Sequence, residues 1–231
     1  MKSTILFLLL PLFFFSCKGQ NTNVNSGYYG SVKKVTDYFC PVKQGKIPTD
    51  TTNYERKATA TYDSLGNKLQ SNEMYKSGNH TTEISTVYSG TGKNRTFKTK
   101  TLWGADSSVK ESDFKYVWKD DRHFSVVSTD KNDSTDFVAT TTLDRKFRVV
   151  ETIYTSKGKF AMKDEFKYRG KHEKKFKRTI EEGETDRIIN TVTVAKEFDK
   201  YGNPTVAYCY DDAEKKHLTA VFFNEYEYYE K

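Results

Sequence analysis

Phe114-Lys115-Tyr116-Val117-Trp118 decides how this chain is read. Its three rings stand at alternate positions, with Lys115 and Val117 between them. An extended backbone sends the rings to one face and the other two residues to the opposite face. The same period of two returns along the chain. Val206, Tyr208 and Tyr210 alternate with Ala207 and Cys209, and Tyr226 and Tyr228 alternate with Glu225 and Glu227. Arg95, Phe97, Thr99 and Thr101 repeat it, as do Val192, Val194 and Phe198 across Lys196. Many short alternating runs indicate half-buried antiparallel strands. No sustained helical period competes with them: the charged stretch from Arg169 to Glu184 lacks an apolar face and reads as strand and turn. The abundance of rings, with 16 Tyr, 16 Phe and 2 Trp, also favours a pleated sheet. The predicted fold class is all-β, an antiparallel β-meander of successive hairpins forming an open curved sheet or a partly closed barrel.

Turn signals separate the runs. Asp63-Ser-Leu-Gly66-Asn67, Lys76-Ser-Gly78-Asn79, Ser89-Gly-Thr-Gly92, Ser156-Lys-Gly158 and Asp199-Lys-Tyr-Gly202-Asn203 are of this kind. Asp-x-x-Gly suits a type I turn that ends in a left-handed glycine, with the aspartate capping the turn through its own side chain. Two of these hairpins superimpose as text. Tyr62-Asp63-x-x-Gly66-Asn67 leads on to Tyr75, and Phe198-Asp199-x-x-Gly202-Asn203 leads on to Tyr210. A weaker third copy, Leu143-Asp144-Arg-Lys-Phe147, keeps the apolar-Asp start and lacks the glycine.

The amino end carries a different message. Lys2 opens it, an apolar run from Ile5 to Phe15 follows, and Ser16-Cys17 closes it. This order describes a secretory signal peptide. The expected organisation is a cleaved signal at 1–16, a lipidated Cys17 with a polar tether at 17–27, and one domain at 28–231. The net charge of +7 invites a nucleic-acid reading, but acids are interleaved with the lysines throughout. Alternating charges on solvent-facing strand positions explain the same residues, and no nucleic-acid partner is expected.

Phe14-Phe15-Ser16-Cys17 resembles the lipobox of bacterial lipoproteins, and the two Asp-x-x-Gly-Asn hairpins resemble the YD repeat of Rhs-type proteins. They are similar as well to the degenerate YD-like repeats of small Bacteroidota lipoproteins. Gly30-Ser-Val32-Lys33-Lys34-Val35-Thr36 and Tyr38 resemble the first strand of that group. The resemblance implies acylation of Cys17, a membrane partner reached through that anchor, and an outer-membrane location facing the periplasm. It brings no catalytic residue with it.

The residues themselves offer little chemistry. His80, His123, His172 and His217 stand singly, without a second ligand at metal spacing, so no metal and no cofactor is expected. Asp120-Asp121 and Asp211-Asp212 read as turn or surface acids. Cys40 and Cys209 are either bridged or two buried free thiols. The favoured function is a non-enzymatic envelope lipoprotein that binds a glycan, a peptide or an envelope protein. Trp103, Tyr116 and Trp118 are its candidate contacts, each with a core role as the competing reading. The alternatives are a carrier of lipid in a cavity of a curved sheet, and an enzyme without a recognisable motif.

Overall fold

The computed structural model describes residues 28–130, 136–182 and 185–230. The signal, the tether and Cys17 lie outside the described residues. Among the described residues fourteen strands follow one another. The first seven are β1 (Val32–Pro41), β2 (Arg56–Tyr62), β3 (Lys68–Ser77), β4 (His80–Ser89), β5 (Thr96–Trp103), β6 (Ser108–Trp118) and β7 (His123–Ser128). The rest are β8 (Val138–Leu143), β9 (Val149–Ser156), β10 (Lys159–Arg169), β11 (Glu173–Glu182), β12 (Thr185–Phe198), β13 (Pro204–Tyr210) and β14 (Leu218–Tyr228). Each strand pairs antiparallel with the next, and β14 returns to pair with β1, so the meander closes into a barrel. Closure removes the sheet edges that an open meander would leave as templates for aggregation.

A meander alternates ends. The turns after β2, β4, β6, β8, β10 and β12 therefore share one rim with the entry of the chain at Tyr28 and its exit after β14. The remaining connections form the opposite, far rim. Three turns of the near rim are copies of one another. In the first, the Asp63 carboxylate accepts from the backbone N–H of Leu65 at 3.0 Å and of Asn67 at 2.7 Å, and from the Asn67 amide at 2.8 Å. Asp199 repeats this with Tyr201 N–H at 2.9 Å and Asn203 N–H at 2.8 Å. Asp144 repeats it with Lys146 N–H at 2.7 Å and Arg148 N–H at 3.0 Å, the Arg148 guanidinium standing in for the asparagine amide. The weak third copy is thus a full structural member. Gly66 and Gly202 sit at φ 83° and 89°, where glycine is at ease, and Phe147 occupies the same place at φ 60°. A bulky side chain there costs about 1–2 kcal/mol of backbone strain.

The inward side chains divide the lumen into two regions. Phe124, Val126, Ala139, Leu143, Val149, Tyr154 and Met162 form an apolar cluster on β7 to β10. Phe97, Phe114, Tyr116, Trp118, Phe137 and Phe166 pack against it. Across the barrel, Tyr28, Val32, Val35 and Tyr62 form a smaller cluster beneath the near rim. Tyr28 comes from the segment before β1 and plugs the barrel there, edge-on to Tyr62 at 5.8 Å and to Tyr226 at 5.6 Å.

Candidate functional site

Below the Tyr28 plug the lumen turns polar. Arg56 opens β2 facing inward because Arg56, Ala58, Ala60 and Tyr62 share one face of that strand. Two small neighbours leave room for its long side chain. Its guanidinium donates to Asp37 of β1 at 2.6 Å and, through Nε, to Glu73 of β3 at 3.3 Å. Tyr75 donates its hydroxyl to the same Glu73 carboxylate at 2.6 Å. Lys174 reaches toward Asp37 from β11, on the other side of the lumen. A second buried pair lies farther from the near rim on that wall, where Arg178 forks onto Asp164 with two contacts of 2.6 Å. Bidentate geometry of this kind is what allows a charge pair to persist away from water.

Burial governs the protonation of these groups. It pushes the Asp37 carboxyl up from its ordinary value, with Arg56 pulling the other way. It pushes the Lys174 ammonium down to about 8, a shift that Asp37 opposes. Arg56 is driven the other way: burial works against its charge, but Asp37 and Glu73 together hold it firmly protonated. The space left among these groups is a cavity of about 50 Å³, lined by Tyr28, Asp37, Arg56, Tyr62, Lys68 and Glu73 among others. A volume of that order takes one or two waters, well short of a substrate. Chemically the network is a fixed set of paired charges.

The residues singled out from sequence fall as follows. Tyr116 and Trp118 face inward and pack on Phe124, with ring centroids 5.5 and 4.7 Å away. They are core rings and do not form an exposed platform for sugars or peptides. Trp103 ends β5 at the far rim, half-buried and apart from the other two. Cys40 and Cys209 do not bridge: both are free, buried thiols. The register supplies the reason. Cys40 lies opposite Val221 and Cys209 opposite Ala220, adjacent residues of β14 whose side chains point to opposite faces. Burial raises the Cys40 thiol to about 11, which leaves it unreactive at neutral pH. Asp120 caps its turn through the N–H groups of Arg122 and His123 at 2.7 and 2.9 Å. Asp212 does the same for His217 at 2.7 Å. Among the described residues no group of His, Cys, Asp and Glu is arranged to hold a metal ion.

The outer wall is charged. Lys34 pairs with Glu227 at 2.6 Å, Lys163 with Glu151 at 2.8 Å, and Lys177 with Glu165 at 3.6 Å. Lys100, Lys115 and Lys175 are exposed on strands between them. A barrel that spans a bilayer presents an apolar band about 25 Å tall, and each lysine at its middle costs about 2–4 kcal/mol. Among the described residues these charges share the wall with exposed Leu69, Val87, Val109, Val117 and Ile188, so its outer surface is mixed.

No family model matches the chain, and no curated protein matches it significantly. Among solved structures it is similar to the crystal structure of a porin-like protein from Bacteroides uniformis ATCC 8492, at 10% identity and a TM-score of 0.44, over 87% of this chain and 99% of that one. The likeness is distant in shape as well as in sequence.

Proposed function

We propose that this chain is a cell-envelope lipoprotein, anchored through Cys17 at the outer membrane and facing the periplasm, whose barrel is a non-enzymatic binding or scaffold module for a glycan, a peptide or another envelope protein. The observation that carries the reading is a lumen lined by the protein's own rings and ion pairs inside a wall that carries charge. Recognition by such a barrel belongs to its outer wall and its rims. The ion pairs and rings that line the lumen weigh against the carrier reading, which needs an apolar cavity of about 300–1,000 Å³. The charged wall argues against a pore through a bilayer. The two near-identical Asp-x-x-Gly-Asn turns and their Asp144 copy keep the YD-like reading of the hairpins as part of the proposal.

The test has two arms. Palmitate labelling of cells producing the chain is expected to mark the protein and to fail for Cys17→Ala. The purified Cys17→Ala chain is expected to remain monodisperse without detergent, to conduct no ions across a planar bilayer, and to release no lipid into organic solvent. Undiminished label in Cys17→Ala overturns the anchor. Conductance or stoichiometric lipid overturns the binding-module reading.

A further inference from the structure

The two rims of the barrel differ in chemistry, and the difference coincides with where the chain enters. Several near-rim segments hold one another. The Tyr229 hydroxyl donates to the Tyr62 carbonyl at 2.6 Å, Lys93 pairs with Asp121 at 2.6 Å, and the N–H of Leu143 donates to Arg122 at 2.8 Å. The Tyr168 hydroxyl donates to Val149 at 2.9 Å, and the Asn203 amide donates to the Tyr29 carbonyl at 2.8 Å. From this rim project apolar side chains that the barrel does not cover: Leu65 is 82% exposed, Tyr29 49%, Phe147 40% and Tyr201 36%. Leu65, Phe147 and Tyr201 stand on the three turns of shared geometry. Around them Lys119, Arg122, Arg145, Lys146, Lys171 and Lys200 are exposed. Most acids of this rim are occupied locally: Asp63, Asp120, Asp144 and Asp199 cap their turns and Asp121 faces Lys93, while Glu230 is exposed after β14. At the far rim Asp50, Asp106 and Asp212 cap their turns in the same way, and Asp136, Asp211 and Glu214 add further acids beside the lysines of the connections and one exposed apolar residue, Ile47.

We propose that the near rim is a membrane-docking face: its turn tips enter the headgroup layer of an anionic phospholipid surface while the surrounding lysines and arginines pair with the lipid phosphates. Basic residues framing protruding apolar ones are what an interfacial lipid site requires. The chain's own layout brings the surface within reach. Eleven residues lead from Cys17 to Tyr28, a span of at most roughly 40 Å, and Tyr28 enters the barrel at this rim. Phe147 adds an independent argument. Glycine serves its position without strain in the two sister turns, yet here an aromatic residue is held at φ 60° with 40% of its surface exposed. The exposed part of that ring is available to a surface outside the barrel. The geometry rests on the anchored-lipoprotein reading, whereas the affinity of the rim does not.

Vesicle flotation of the full chain carrying Cys17→Ala tests the proposal. It is expected to float with phosphatidylcholine vesicles containing 30% phosphatidylglycerol at low salt, and not with pure phosphatidylcholine. Reversing Arg145, Lys146, Lys171 and Lys200 to Glu is expected to weaken binding by about fivefold per charge, and 0.5 M salt is expected to weaken it too. Phe147→Gly is expected to lower vesicle binding severalfold while raising the melting temperature, a combination that a purely structural ring does not give. The far-rim pair Lys157→Glu and Lys159→Glu is expected to bind as the parent does. Equal flotation with neutral vesicles, no flotation with either kind, or an equal loss from the far-rim pair overturns the docking face. Palmitate label on Cys17 together with absent flotation leaves the anchor standing and removes the docking face; absent label with anionic-selective flotation does the reverse.

Discussion

The two sides of the lumen solve one packing problem by different means. Strands β7 to β10 fill it with Phe124, Leu143, Val149, Tyr154 and Met162, and the rings of β5 and β6 lean onto them. Strands β1 to β3 fill it with Arg56 held between Asp37 and Glu73, and Lys174 faces that group from β11. Apolar filling is tolerant of shape and gains free energy directly as it leaves water. Ion-pair filling gains little net free energy, but every member depends on the others, because losing one partner strands a buried charge. The apolar side should therefore supply stability, and the ionic side should fix the register of the seam where β1 meets β14.

Removing one partner from each side breaks the comparison most sharply. Arg56→Leu leaves Asp37 and Glu73 facing each other in the lumen and is expected to cost roughly 3–5 kcal/mol in denaturant unfolding. The triple change Arg56→Leu, Asp37→Leu, Glu73→Leu is expected to recover most of that loss; no recovery would mean that the charges are worth more than specificity. On the apolar side Phe124→Ala is expected to cost a similar ~3–5 kcal/mol, and no second change that merely removes a neighbouring side chain should restore it.

Titration separates the sides next. Lys174 holds its proton less tightly in the folded state, at about 8, than in the unfolded chain, where a lysine titrates near 10.5. Between those values the unfolded chain binds more protons, so stability rises with pH across that window. The gain should be about 2 kcal/mol, read from unfolding midpoints at pH 7.5 and 10. In Lys174→Met the rise should vanish and stability at pH 7.5 should increase. Asp37 acts in the opposite sense at the acid end. Burial raises its folded value above that of the unfolded chain, so its contribution is fully present at low pH and is lost as pH climbs through the folded value.

The smallest effects concern the turns. A cross-swap compares them directly: Phe147→Gly should gain about 1 kcal/mol and Gly66→Phe should lose about as much, since a Cβ at Gly66 meets nothing within 4 Å and backbone conformation is left as the main cost. Calorimetry of both variants checks whether backbone conformation alone sets these values.

How much of this was legible in the sequence follows from the range of each interaction. Alternation at Phe114 to Trp118 and the Asp-x-x-Gly turns are local, and they announced the strands, the meander and even the third turn at Asp144. The seam was not legible, because pairing Val35 with Tyr226 depends on the accumulated twist and tilt of every strand between them. The ionic lumen escaped for a related reason. Asp37, Arg56 and Glu73 look like any charges on alternating strands, and only closure turns their face inward. The one local hint was the pair of alanines that share the inner face of β2 with Arg56. The rings of Tyr116 and Trp118 were placed correctly on one face, but a strand's alternation does not say which of its faces the barrel will enclose.

The seam bears on how this molecule comes into being. Lys34 and its partner Glu227 lie 193 positions apart, so the segment synthesised earliest acquires its second neighbour only when nearly everything else has emerged. Every hairpin in between can form as it appears, yet none can be locked until the tail arrives. A chain truncated shortly before Leu218 should therefore offer two raw borders to any strand it meets, and its fate would be association with copies of itself.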